Sequence, residues 1–237
     1  MTMRLLIFLL LFIGTTNLFG QAILEAVEQK DYDKVSELIK KKGVVNKKGK
    51  NGVTPAQKAA TVNDLKILQL LVDNGADINL AGDAGWTPLM ISCQEGHFEI
   101  AKYLIEKGAN VNTKDTHNWT PVIIASRNGH NDILELLVKQ KADINSIAAD
   151  KSTALIIASY KGHMDVVMTL LNNGATVNNI NRDEETALSV AGQQGHIEIF
   201  KKLLEFKADK DYKTRDGKSI CDIAKNYGHK EICDLVK

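Results

Sequence analysis

Thr54, Thr87, Thr120, Thr153, Thr186 and Ser219 stand 33 residues apart, with no insertion or deletion between them. Other columns keep the same interval. Pro55, Pro88 and Pro121, the chain's three prolines, each follow a lattice threonine directly. Gly96, Gly129, Gly162, Gly195 and Gly228 are each followed by histidine. Ala76, Ala109, Ala142, Ala175 and Ala208 form another column, and Asn79, Asn112, Asn145 and Asn178, continued by Asp211, form one more. A strict period of this length marks a repeat architecture. No unit of that size buries its apolar face alone, so the units must stack.

The columns say what each unit is. Threonine is a good helix N-cap and proline is tolerated at the first helical position, so each lattice position starts a helix. The glycine nine residues later ends that helix in a left-handed turn. A second helix follows, with apolar residues at helical spacing, such as Ile133, Leu136 and Leu137. Gly75, Gly108 and Gly174 end second helices before segments like "ADIN" that extend and turn back. The unit is a helix–turn–helix with a projecting turn.

The segments "TPLMIS", "TPVIIA", "TALIIA" and "TALSVA", with "GHFEIAKYLIEKGANVN" and "GHNDILELLVKQKADIN", resemble the ankyrin-repeat signature over residues 22–237. The resemblance implies an all-α repeat protein, a solenoid of about seven helix–turn–helix units with β-hairpin-like fingers. Residues 21–53 would be an N-terminal cap, repeats would begin near 54, 87, 120, 153 and 186, and 219–237 would be a C-terminal cap with a complete second helix. The sequence departs from the family in places. The histidine that usually bonds between neighbouring repeats is replaced by Gln57, Met90, Ile123, Ile156, Ser189 and Asp222. That predicts fewer such bonds and more apolar stacking. Asn63-Asp64 stands for Gly-His, and Lys141 and Lys207 stand where glycine accepts positive φ, at about 1 kcal/mol each.

The first twenty residues sit outside this register. Arg4 precedes nine continuous apolar residues, LLIFLLLFI, at positions 5–13, and Gly20 suits the position before a cut. This reads as a secretory signal peptide over 1–20, too short to span a bilayer. Gln21 stands where a lipoprotein would carry cysteine. The expectation is one repeat domain over 21–237, periplasmic or secreted, with no stable membrane insertion after cleavage. Loss of Arg4 leaves 29 basic and 29 acidic residues, a balance that predicts no nucleic-acid partner. An aromatic share of 5% argues against an all-β fold.

Residues that could carry chemistry fall back into the lattice. His97, His130, His163, His196 and His229 form one column, with units spaced roughly 8–10 Å apart, too far to share a metal. Cys93 falls in a small-residue column with Ala60, Ser126, Ser159 and Gly192, and reads as core. Cys221 and Cys233 sit on the two helices of the last unit. In an exported chain they either staple the cap as a disulfide or stay free. Six lysines in residues 40–50 read as a solvated first finger. Asn118-Trp119-Thr120 matches a glycosylation sequon, but lattice residues make it and Pro121 follows. No phosphate-binding loop, zinc-protease motif or carboxylate pair appears. The expectation is no enzyme, no cofactor and no metal.

Resemblance to ankyrin repeats implies recognition of a protein partner by finger tips and the exposed side of the first helices. Those positions lie three and four before the lattice threonine, one before it, and seven and eight after it. They give Trp86, Gln94 and Glu95 in one unit, then His117, Trp119, Arg127 and Asn128 in the next. Asp150, Tyr160, Lys161, Arg182 and Tyr227 follow in later units. Trp86, Trp119, Arg127 and Tyr160 are of the types enriched in binding hot spots. Trp119 either meets a partner or packs against a neighbouring finger. The functional expectation is an exported, monomeric protein-binding module. The alternative is a structural or stress-protective envelope protein without one tight partner.

Overall fold

The structure, a computed structural model, describes residues 20–49 and 52–237. Among the described residues every named element is a helix and no strand forms. The chain divides into two compact units, one ending at Asn110 and one beginning at Val111.

The first unit holds α1 (residues 20–28), α2 (Tyr32–Ile39), α3 (Pro55–Thr61), α4 (Leu65–Asp73), α5 (Pro88–Glu95) and α6 (Phe98–Glu106). Within it α3 packs on α5, and α3 and α5 each pack on the helix that follows. The second unit holds α7 (Pro121–Asn128), α8 (Asn131–Lys139), α9 (Ala154–Lys161), α10 (Met164–Asn172), α11 (Ala187–Gln194), α12 (Ile197–Glu205), α13 (Ile220–Asn226) and α14 (Ile232–Leu235). There the first helices α7, α9, α11 and α13 stack in series, and the second helices α8, α10 and α12 form a parallel row.

The cap chemistry follows the lattice. Each lattice threonine accepts on Oγ1 the backbone N–H three residues on, at 3.1–3.4 Å, from Gln57, Met90, Ile123, Ile156 and Ser189. Ser219 does the same for Asp222. Gly96, Gly129, Gly162 and Gly195 end the first helices with φ of 71–79°. Lys141 and Lys207 do adopt positive φ, at 58° and 64°. In the unit lacking Gly-His, Asn63 takes the left-handed position with φ 51°, and Asp64 caps α4 by accepting from Ile67 N–H at 2.9 Å. Asparagine tolerates that backbone and aspartate is a strong cap, so the pair replaces both functions locally.

Second helices bury one stripe. In α8 that stripe is Ile133, Leu134 and Leu137, whereas Leu136 is only half-buried. Two of the three apolar residues read from the spacing are therefore buried, with Leu134 taking the third place, and α8 packs on both α7 and α10. The last second helix is one turn, Ile232–Leu235, not the complete helix expected. Only Ile232 and Cys233 are buried in it, too small an apolar face to hold a longer helix in place.

The fingers are hydrogen-bonded turns more than β-hairpins. Asp115, Ala148, Asn181 and Thr214 each donate a backbone N–H to the carbonyl four residues on, at 3.0–3.1 Å. Two isolated bridges, Ile147 with Thr153 and Lys213 with Ser219, are all that is strand-like among the described residues of the second unit.

Polar rungs join the repeats. Asn46, Asn79, Asn112, Asn145 and Asn178 each accept on Oδ1 a backbone N–H 31 residues ahead, at 2.8–2.9 Å. The Gly-His histidines do not cap their own helices. Instead His163 Nε2 stands 3.1 Å from the Arg127 carbonyl, and His196 Nε2 stands 3.1 Å from the Tyr160 carbonyl. Each ring lies over the glycine of the preceding unit. A β-carbon on Gly129 would come within 2.9 Å of His163, and one on Gly162 within 2.7 Å of His196. In the column where the family histidine is replaced, Gln57 still bonds to the neighbouring repeat, its Nε2 donating to the Trp86 carbonyl at 2.8 Å, while the bonds of His163 and His196 come from the Gly-His column.

Residues 1–19 of the expected signal peptide lie outside the described residues. Gly20, the residue before the expected cut, is helical and buried. No helix of the described residues is long and apolar enough to cross a membrane.

Candidate interaction surface

In the first unit, Trp86 is half-buried at the base of its finger, where its carbonyl accepts from both Gln57 Nε2 and Gly82 N–H. Gln94 and Glu95 end α5, are exposed, and bond to each other at 3.0 Å. Cys93 beneath them is fully buried, and desolvation pushes its thiol far above the ordinary cysteine range. Burial of that kind disfavours the thiolate that a nucleophile needs.

The second unit gathers more of the predicted residues. Asp115 is buried in the finger of the first repeat there, and its Oδ1 accepts the N–H groups of His117 and Trp119 at 2.8 Å each. This fixes the turn, puts Asn118 at φ 60°, and leaves His117 projecting at the tip. Trp119 is half-buried, and the Arg127 guanidinium lies over its ring, 4.8 Å from the centroid. The position one before the threonine thus faces the position seven after it, across the groove between finger and helix. Asn128 turns back on its own helix, donating Nδ2 to the Ile124 carbonyl at 2.9 Å.

In the next repeat the same groove position holds Tyr160, 42% exposed, with the Lys161 ammonium 5.6 Å from its ring centre. Asp150 is occupied locally, accepting from Ser152 N–H and Ser152 Oγ at 2.9 Å each. Its carbonyl accepts the Arg182 backbone N–H at 2.8 Å, and the His117 carbonyl accepts from Ala149 in the same way. Successive finger tips are therefore joined edge to edge.

Further along this unit the groove opens into a cleft of ≈ 520 Å³. Asp183, Glu185, Asp216 and Lys218 form its finger wall, and Gln193, Ile223, Asn226 and Tyr227 its helix floor. Tyr227 is 58% exposed. Glu184, at φ 61°, holds the next finger by accepting from Arg215 N–H at 2.8 Å and from Arg215 Nε at 2.7 Å. Cys221 of α13 and Cys233 of α14 are joined as a disulfide, Cα to Cα 4.7 Å, beneath this end.

The whole described stretch is repeat, and comparison with family models agrees. The model for ankyrin repeats (3 copies) matches residues 23–115, 81–148, 113–181 and 155–237. The chain belongs to the ankyrin-repeat family. A comparison with curated proteins returned no match. Ankyrin repeats generally mediate protein–protein interaction, and the family is typically non-enzymatic. Among the described residues, no group of three or more His, Cys, Asp or Glu side chains is arranged to hold a metal ion.

The predicted positions of this ankyrin-repeat chain fall into separate groups. Trp86, Gln94 and Glu95 belong to the first unit. Trp119 with Arg127 and Tyr160 with Lys161 are brought together in the second, and Tyr227 sits apart in the cleft. Sequence reasoning missed Ile147 and Ile180, which are 46% and 47% exposed on consecutive fingers. The signal was present: they share the column six before the threonine, where the flanking units carry Lys114 and Lys213. The first two members of the column are Lys48 and Ala81, so Ile147 and Ile180 are its large apolar members, and exposed side chains of that kind on adjacent fingers mark a candidate contact surface. It also missed Glu184, whose role depends on a backbone angle that the lattice does not reveal.

Proposed function

We propose that the chain is an exported, non-enzymatic module that binds a protein partner through its fingers and the exposed side of its first helices. One observation carries this reading. In the second unit a rigid frame of capped helices and polar rungs presents Arg127, Tyr160, Lys161, Ile147, Ile180 and Tyr227 outward, at positions that neither the caps nor the core use. Large aromatic and arginine side chains on a preorganised surface are what protein recognition exploits. Export rests on the N-terminal sequence: Arg4, the apolar run at 5–13 and Gly20.

Co-precipitation of the tagged full chain from its native fraction tests the binding. A single stoichiometric partner is expected. Trp119→Ala should weaken it by about 2 kcal/mol, because the substitution removes an aromatic surface and the platform under Arg127. Trp119→Ala that unfolds the chain while leaving affinity per folded molecule unchanged makes the tryptophan a packing residue. Recovery of the full-length chain from the cytosol alone defeats the export reading.

A further inference from the structure

Two cation-on-ring pairs occupy consecutive repeats of the second unit. The Arg127 guanidinium lies over Trp119 at 4.8 Å, and the Lys161 ammonium lies by Tyr160 at 5.6 Å. Arg127 and Tyr160 hold the same lattice position, and α7 packs on α9, so the pairs are neighbours on one face. Both cations are exposed. Among the described residues neither makes an ion pair, whereas Arg215, Lys201, Lys202 and Lys218 do. Stacking uses one face of the guanidinium and leaves its N–H edge for a planar anion. Holding the side chain on the indole also removes rotamer freedom that binding would otherwise have to freeze out. Tyr160 adds exposed apolar surface beside both charges.

The sign of the surface changes further along the same unit. Asp183, Glu185 and Asp216 line the cleft there, with Lys218 alone opposing them. A long polyanion laid along the groove would meet repulsion at that point. A short carboxylate-bearing segment would not.

We propose that Arg127 and Lys161 form a carboxylate-recognition subsite, and that its occupant is an extended segment of a partner protein carrying Asp or Glu next to an apolar side chain. This rests on the protein-binding reading above. Arg127 takes the carboxylate through its free N–H edge, Lys161 supplies the second charge, and Trp119 acts as the positioning residue. The neighbouring apolar side chain rests on Tyr160.

The test is selection of a displayed random peptide library on the immobilised full chain, followed by fluorescence anisotropy of the selected peptides. Enrichment of Asp or Glu beside an apolar residue is expected. Arg127→Glu should weaken those peptides by about tenfold or more, since it replaces attraction by repulsion at the contact. Lys139→Glu on α8 changes net charge equally but lies on an exposed second-helix position, and should leave affinity unchanged. Peptides that are neutral or basic, or acidic peptides indifferent to Arg127→Glu, overturn the carboxylate subsite and leave the protein-binding reading standing. No enriched peptide, with binding only of heparin or an oligonucleotide, overturns both.

Discussion

Alanine at Gly162 and at His196, singly and together, tests how neighbouring repeats are joined. Gly162 sits at φ +79°, a backbone that costs an L side chain about 1 kcal/mol. Its new β-carbon would also stand 2.7 Å from His196 Cε1 and 2.9 Å from Nε2, and overpacking of that kind costs roughly 2 kcal/mol. Gly162→Ala should therefore destabilise by about 3 kcal/mol. His196→Ala removes the bond to the Tyr160 carbonyl and the contacts of a half-buried ring, roughly 2 kcal/mol together. In the double variant the clash has no partner. Only the backbone cost and the lost histidine remain, so the double should cost about 3 kcal/mol where simple addition gives about 5. The coupling of about 2 kcal/mol is read from urea unfolding followed by far-UV circular dichroism, with m-values compared among variants. Gly174 provides the control. Its φ is +86° but nothing lies within 4 Å of a β-carbon there, so Gly174→Ala should cost only about 1 kcal/mol. Additivity of the Gly162 and His196 effects within about 0.5 kcal/mol would falsify the claim that the ring seats on the glycine.

Other consequences are read more simply. Ser126 and Ser159 bury their hydroxyls without a partner, so alanine at either position should be neutral or raise stability by about 1 kcal/mol; a loss of similar size in urea unfolding points to a bond the structure lacks. Thiol titration of the oxidised, unfolded chain should find one reactive thiol, Cys93, and reduction should cost roughly 3 kcal/mol for a loop closed at a sequence separation of 12, from Cys221 to Cys233; three titratable thiols refute the cross-link. Hydrogen bonds from Ser219, and the charge of Lys225 to a lesser degree, hold the Asp222 carboxyl below its ordinary value. A carboxyl lowered in the folded state stabilises above its unfolded pKa and loses that contribution as pH falls through its folded one. Amide exchange in α13 should accordingly speed up, relative to α9, at pH below the ordinary aspartate value of 3.8, and Asp222→Asn should flatten the difference.

Much of this molecule was legible because its signals are local. Thr120 caps, Pro121 starts and Gly129 ends a helix through interactions within one turn, so the sequence sufficed. Asn63-Asp64 was visible as a departure, and its repair needed only the known behaviour of those two residue types. Which of Leu134 and Leu136 is buried was not legible, because the two are equally apolar and only the neighbouring helices choose between them. The histidine column was recognised as structural, but its partner carbonyls lie 36 residues back, beyond any local rule. For the candidate surface, the lattice named Trp119 and Arg127 separately. The contact between them exists because the finger folds back over the end of the helix.

The sequence by itself determined the period, the helix pairs, the caps and the positions left over for specificity. Each of these depends on residues within one turn or on a fixed spacing. Only the tertiary structure decided which side chains bridge repeats, that Ile147 and Ile180 stand outward, and that Arg127 lies on Trp119 while Glu184 holds Arg215. Those outcomes depend on how one repeat seats on the next. That seating is set by packing of whole helices and the finger turns they carry, which a single repeat's sequence does not contain.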